Sequence, residues 1–418
     1  MRPRLLNFLH NFYALKKEQW LDCESLGTLQ KERLGRIISE ARATPRYSKM
    51  ARHEDPYEAL SSVPVTAKQD VQKDASSFMR PGTDLKSLQS IKTSGSTGTP
   101  LELFIDREAL DWRAAMKYFV ETEFGLKPFD LFAEVSVGRH DPHPLLSLSG
   151  LFRRIPLSVF DPEEENFSRI LRSRPSALGW YPSSITIFAR LNEDAGRLLK
   201  LKRVFCGSEM LSPAARKSIG DSFSCGVFNH YGAVEFSTIA WECPEEHSLH
   251  VNSNSCLVEI LDERGNPKRS GAGNIVITCL HNRAMPILRY SIGDRGSWGK
   301  ECPCGRGLPV LGSLEGRTND MIILPSGKLR NPVALDIFYG IPGIMRYQIV
   351  QEKEDLFTFR FVPSGRLPES SRKEILRRMD AGCLGEKVSV EFEEAASIER
   401  GRGGKLSTVV SLVRRRFK

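Results

Sequence analysis

Ile91-Lys92-Thr93-Ser94-Gly95-Ser96-Thr97-Gly98-Thr99-Pro100 is the stretch around which this 418-residue chain is read. Five hydroxyl residues and two glycines stand ahead of the apolar run Leu101-Glu102-Leu103-Phe104-Ile105. Gly95 and Gly98 permit positive φ angles and close backbone approach, so N–H groups and hydroxyls can converge on one anion. The stretch reads as a phosphate grip, or else as a surface turn rich in Ser, Thr and Gly. It is not a Walker loop. That pattern needs Lys and Ser/Thr directly after its second glycine, and Thr99-Pro100 stand there.

Length and an ordinary soluble composition imply about two or three domains around a large core. The apolar runs fall short of the roughly 18 residues needed to span a bilayer. Met1-Arg2-Pro3-Arg4-Leu5-Leu6-Asn7-Phe8-Leu9-His10 begins like a signal peptide. Asn7 and His10 interrupt it, no small-residue cleavage site follows, and a cytoplasmic location is expected. Its alternating apolar and basic residues either pack on the protein or make weak peripheral contact with a membrane surface. The formal net charge of +9 is spread along the chain, apart from the tail Arg414-Arg415-Arg416-Phe417-Lys418. No nucleic-acid-binding motif accompanies it, so no nucleic-acid partner is expected. Nine scattered cysteines with no secretory signal argue against a disulfide framework.

Residues 26–50 carry Leu29, Leu34, Ile37, Ile38 and Ala41 at helical spacing, with Thr44-Pro45 ending the run. Val63-Pro64-Val65-Thr66-Ala67-Lys68 reads as a turn into a helix capped by Thr66. Past the loop, strand candidates (131–135, 177–182, 203–207) alternate with helix candidates (167–171, 183–191), which argues α/β with largely parallel sheet. Beyond residue 250, Cys256 to Leu261 and Asn274 to Thr278 flank Asp262-Glu263-Arg264-Gly265-Asn266-Pro267, a local antiparallel pair. A boundary is expected near Gly316-Arg317. The organisation is then a large N-terminal domain of mixed sheets and flanking helices, 1–315, and a small α+β domain, 316–418, with strands near 347–350, 357–362 and 388–392 and a helix near 368–380.

Four more stretches bear on the opening loop: Gly207-Ser208-Glu209, Asn229-His230-Tyr231-Gly232-Ala233-Val234-Glu235, Arg289-Tyr290-Ser291-Ile292-Gly293-Asp294 and Gly316-Arg317-Thr318-Asn319-Asp320. With Thr93-Ser94-Gly95-Ser96-Thr97-Gly98-Thr99-Pro100, in this order and spacing, they resemble the adenylate-forming ligase superfamily. The likeness runs toward the phenylacetate–CoA ligase branch and its capsule-biosynthesis adenylate-forming members, and covers about residues 26–410. Each piece alone is weak; five in register are specific.

The resemblance implies an ATP-dependent ligase that activates a carboxylic acid as acyl-AMP, releases pyrophosphate, and passes the acyl group to CoA or an amine. Joining two anions calls for positive charge, hydrogen-bond donors and a metal. Thr93, Ser94, Gly95, Ser96, Thr97 and Gly98 would hold phosphates, with Gly207, Ser208, Glu209 and Gly232 completing the nucleotide site. Tyr231 offers a face for adenine, Glu235 a carboxylate for Mg²⁺, Asp294 acceptors for the ribose hydroxyls, and Arg317 a cation for ribose or phosphate. Family members rotate the small domain to bring in a lysine, which maps to Lys405 in Ile398-Glu399-Arg400-Gly401-Arg402-Gly403-Gly404-Lys405-Leu406. Lys405, Glu235 and Thr97 are the implied catalytic groups. Val234 stands where many members carry a hydroxyl, and Asn319 where the hinge is usually Asp or Lys. Those departures favour the alternative reading, a non-catalytic nucleotide-binding or scaffold protein. The acid, the acceptor and the oligomeric state are not legible.

Cys302-Pro303-Cys304-Gly305-Arg306-Gly307 has the look of a thiolate knuckle, and Cys243-Pro244-Glu245-Glu246-His247-Ser248-Leu249-His250 lies upstream. Three Cys and one His make a closed tetrahedral zinc site, provided that the strands at 256–280 bring the halves together. Members of the resembled branch carry a similar pattern around a structural zinc. That likeness assigns Cys243, His250, Cys302 and Cys304, with His247 the competing ligand. His140 and His143 either line an acyl pocket or belong to a polar loop. Trp180-Tyr181 either wall that pocket or fill the core.

Overall fold

The computed structural model describes residues 3–92, 101–136, 149–192, 194–317, 321–330, 332–335, 338, 341–400 and 405–413. The chain is mixed α/β with helices flanking its sheets, as the alternation of strand and helix patterns implies. It divides into two compact units, one chiefly Met1–Lys127 with His230–Leu314, the other chiefly Leu146–Asn229 with Glu315–Lys418 and the strand Phe132–Ser136.

In the first unit the helix Cys23–Arg42 begins three residues before the expected start. Asp22 caps it, accepting from the Ser25 N–H at 2.7 Å. Its buried stripe is Leu26, Leu34, Ile37, Ile38 and Ala41, and Leu34 to Ala41 enter a core with Ile275, Ile277 and Tyr290. The helix Leu5–Glu18 packs on Arg107–Glu123, with Phe8 edge-on to Tyr118 at 5.2 Å. Strands Gln89–Lys92 and Glu102–Ile105 pair antiparallel, with Lys92 opposite Glu102, so both ends of the opening loop are in register. Thr93–Gly98 themselves lie outside the described residues.

The antiparallel pair Cys256–Leu261 and Gly273–Cys279 forms as read, with Cys256 opposite Cys279. In its turn Asp262 accepts from the Arg264 and Asn266 N–H groups, both at 2.8 Å, and Gly265 takes φ +85°. Thr66 is not a helix cap. Its hydroxyl donates to the Leu288 carbonyl (2.9 Å) and its N–H to the Arg289 carbonyl (2.8 Å), while Ser291 N–H donates back to its own carbonyl. The helix Lys68–Lys73 is instead entered through Ala67, whose N–H donates to Asp70.

The second unit holds the parallel strands in the order Arg203–Gly207, Ala177–Trp180, Phe132–Ser136, Arg154–Ser158. Helices Glu163–Ser173, Pro182–Leu191 and Pro213–Phe223 bury Phe167, Ile170, Ile185, Phe188, Ile219 and Phe223 in its core. Trp180 and Tyr181, each 5% exposed, are core residues. Further on, Ser389–Glu394, Leu356–Pro363, Ile344–Lys353 and Val409–Ser411 form a four-stranded sheet, and with the helix Glu369–Gly382 they enclose Phe357, Phe359, Ile375 and Met379. Its first three strands and its helix match the α+β pattern read for the C-terminal stretch. Among the described residues, no helix is long and apolar enough to cross a membrane.

Candidate active site and metal centre

In the first unit, Tyr231, Gly232, Glu235 and Asp294 occupy the strands Gly226–Ala233 and Tyr290–Trp298 and the turn after the former. The register slips between Tyr231 and Gly232. A Cβ on Gly232 would sit 2.5 Å from the Ser237 carbonyl oxygen, so only glycine lets the chain fold back this tightly. The Tyr231 hydroxyl donates to Asp294 Oδ2 at 2.7 Å, which fixes ring and carboxylate together. Tyr290 donates its hydroxyl to Glu235 Oε1 at 3.2 Å. The structure therefore brings Tyr231 to Asp294 and holds Glu235 through a tyrosine that sequence reasoning had left unassigned.

Arg113 is a second omission. From the helix Arg107–Glu123 its guanidinium donates to the Val234 carbonyl (2.7 Å) and the Glu235 carbonyl (3.1 Å). Burial pushes its pKa down, against the pull of Cys279 and Glu235. Val234 is itself 42% exposed, so the turn uses its carbonyl rather than its side chain. No spacing rule marks Arg113, because the partner is backbone more than 100 residues away.

In the second unit Gly207 ends the strand Arg203–Gly207, and Ser208 takes φ +67°. The Glu209 carboxylate then accepts from two backbone N–H groups, Ser183 at 3.2 Å and Leu406 at 2.8 Å. Burial raises the Glu209 pKa. Burial, with the Glu209 charge second, pushes the Tyr181 hydroxyl up to about 12. Lys405 precedes Leu406 directly. Glu163 pairs with both Arg346 and Arg400, and Arg190 donates to the Ile344 carbonyl at 3.2 Å. Arg317 closes the strand Val310–Arg317. Asn319, His140, His143 and Gly401–Gly404 lie outside the described residues.

Cys243, His250, Cys302 and Cys304 come together, their donor atoms all within 4.8 Å of one another. Cys304 Sγ lies 3.3 Å from His250 Nε2. The strands at 256–280 do not join the two halves. Leu249–Val251 pairs with both neighbours, placing His250 opposite Trp241 on one side and Val310 on the other. His247, on a turn at φ +56°, pairs with Glu242 at 3.4 Å and is not among the four. Three thiols and an imidazole at this separation fit a closed tetrahedral zinc site, whose donor–donor edges span roughly 3.3–3.8 Å for bonds of about 2.0–2.3 Å.

Burial, with Arg306 adding repulsion, lowers the His250 pKa to about 4, which keeps the imidazole in its neutral, metal-binding form. Arg306 supports the cluster from behind. It stacks 4.4 Å from the Trp20 ring centroid, donates to Gln19 Oε1 (2.8 Å) and Glu123 Oε2 (2.9 Å), and points a nitrogen at Cys243 Sγ (3.9 Å).

Fold and motif order point to a class: the chain is similar to adenylate-forming ligases, a group of enzymes. It is similar, 27% identical over 360 residues and 79% of each chain, to the phenylacetate-coenzyme A ligase of Thermus thermophilus. It is 22% identical over 368 residues to Protein CapK of Staphylococcus aureus, covering 83% of this chain and 79% of that one. Its fold matches that of a 2-hydroxyisobutyryl-CoA ligase solved in the postadenylation state in complex with R3-HIB-AMP. The TM-score is 0.78 at 20% identity, over 95% of this chain and 91% of that one. No family model matches the chain.

Proposed function

We propose that the protein uses ATP to activate a carboxylic acid as its acyl-adenylate, releases pyrophosphate, and transfers the acyl group to CoA. The observation that carries this reading is the Tyr231–Asp294 pair beside a Glu235 tethered by Tyr290, at the spacing of the superfamily's nucleotide motifs. Tyr231, held by its hydroxyl, keeps a ring face for adenine. Asp294 takes the ribose, with Arg317 reaching ribose or phosphate. Glu235 would hold Mg²⁺, which supplies charge neutralisation across the phosphates. The loop Thr93–Gly98, Thr97 included, grips phosphate, and Gly207 and Ser208 complete the nucleotide wall. As the carboxylate oxygen attacks the α-phosphorus and the bond to pyrophosphate breaks, negative charge gathers there; the Lys405 ammonium stabilises it.

The small body 316–418 is the proposed carrier of Lys405 between two half-reactions. Cys243, His250, Cys302 and Cys304 would hold Zn²⁺ in a structural role, since four protein donors leave no open position for a substrate. The reading extends to a cytoplasmic enzyme of cell-surface polysaccharide synthesis, which the motif resemblance to capsule-biosynthesis adenylate-forming proteins implies.

Pyrophosphate release measured with a panel of acids, with CoA, with amines and with neither, tests the reading. Release with one acid, and thioester only when CoA is present, is expected. A folded protein that turns over none of the acids overturns it and leaves the non-catalytic alternative. Amide formation in place of thioester corrects the acceptor alone.

A further inference from the structure

We propose that Glu209 is the positioning residue for Lys405: its carboxylate, braced by the Ser183 amide, holds the Leu406 amide and so fixes where the lysine leaves the chain. This rests on the reading of Lys405 as the adenylation lysine. Two independent anchors define the segment. On one side the strand Val409–Ser411 pairs parallel with Ile344–Lys353, with Ile349 opposite Val409. Ile349 N–H also donates to the Thr408 carbonyl at 2.8 Å, and the Gln348 side chain to the Ser407 carbonyl at 2.9 Å. On the other side, Leu406 N–H reaches Glu209 Oε1 at 2.8 Å, and the Leu406 side chain is buried. Lys405 is the residue next to that fixed amide.

The brace has its own logic. Ser183 lies in the first turn of the helix Pro182–Leu191, where backbone N–H groups lack partners within the helix and the macrodipole favours an anion. Glu209 Oε2 takes this N–H, leaving Oε1 aimed at Leu406. A buried carboxylate that accepts two amides makes charge-assisted bonds, roughly twice as strong as neutral ones. Moving Lys405 away strips one of these bonds and leaves a desolvated carboxylate short of a donor. Glu209 therefore weights the chain toward the arrangement in which this segment is seated.

The test uses the full-length protein and the variants Glu209→Ala, Glu209→Gln and Lys405→Ala. Two readouts are taken: ATP–pyrophosphate exchange over the acid panel, phenylacetate included, and amide hydrogen exchange of the peptide containing Leu406. Glu209→Ala is expected to lower kcat for exchange by roughly tenfold or more, with KM for ATP within about twofold, because an interaction serving the transition state is lost. Leu406 should exchange at least about tenfold faster in the same variant. Glu209→Gln keeps one acceptor oxygen but turns an NH₂ toward the other amide, so it should recover only part of both. Unchanged Leu406 protection in both Glu209 variants overturns the proposal, whatever the activity. A tenfold rise in KM for ATP with Leu406 protection intact also overturns it, and returns Glu209 to the nucleotide wall. If Lys405→Ala leaves pyrophosphate exchange intact, the lysine reading itself falls, while the hydrogen-exchange arm still decides the contact.

Discussion

Arg113 holds two successive carbonyls of the turn that presents Glu235, at 2.7 and 3.1 Å. Hydrogen bonds from charged donors are each worth about 1.5–3 kcal/mol. Arg113→Ala should therefore loosen Glu235 and raise the Mg²⁺ concentration for half-maximal adenylation by roughly tenfold. Lysine, a point donor without the planar fork, should restore little of this. A Mg²⁺ titration of pyrophosphate release checks both variants. His281 is a residue of another kind. It is buried, stacked 4.0 Å from Trp112, and in contact with the Asn254 carbonyl at 2.9 Å. Burial first, and the charges of Arg33, Arg283 and Arg36 after it, push its pKa down to about 3. The unfolded chain then binds a proton that the folded one refuses. Stability from the neutral ring is complete above about pH 6.5 and is lost as pH falls toward 3, by up to about 1.4 kcal/mol per pH unit. Urea unfolding at pH 7 and pH 5 should show this slope reduced in His281→Gln.

At the scale of elements, the short strand Leu249–Val251 has a consequence out of proportion to its three residues. Paired on both sides, it carries His250 to Cys304 and joins two cysteine segments about 60 residues apart in sequence. Metal bound there would cross-link the strand Leu249–Val251 to the segments that carry Cys243, Cys302 and Cys304. Chelation, or Cys304→Ser, is expected to lower the melting temperature by roughly 5–10 °C, with loss of about one zinc per chain by elemental analysis. A protein purified without zinc, and indifferent to chelator, would contradict the assignment. The sequence supplied the cysteines and both histidines but chose His250 over His247 only through likeness to relatives. Distance made the physical distinction: His247 turns out to Glu242. Thr66 taught the same lesson. Its local pattern fits a helix cap, yet its hydroxyl and amide are taken by carbonyls of residues 288 and 289.

For the whole molecule, Lys405→Ala should cut adenylation by a factor on the order of 10² or more while ATP binding changes little, because in the proposed mechanism the ammonium acts on charge that develops only in the transition state. Isothermal titration with ATP and pyrophosphate release measure the two separately; equal activity in both proteins would favour a non-catalytic scaffold. The alternation of strand and helix, the five motifs in order, and the cysteine pairs are linear facts. By itself the sequence therefore determined the α/β class, the resemblance and the chemistry on offer, since hydrophobic period and local turn residues act over a few neighbours. Which groups meet is a different matter. Tyr231 with Asp294, Tyr290 with Glu235, Arg113 with the Val234 and Glu235 carbonyls, and Glu209 with the Leu406 amide join residues between 55 and 197 positions apart. Only the tertiary structure decided these, because strand order and register fix such partners, and in most of them one partner is a tyrosine hydroxyl or a main-chain group that carries no mark in the sequence.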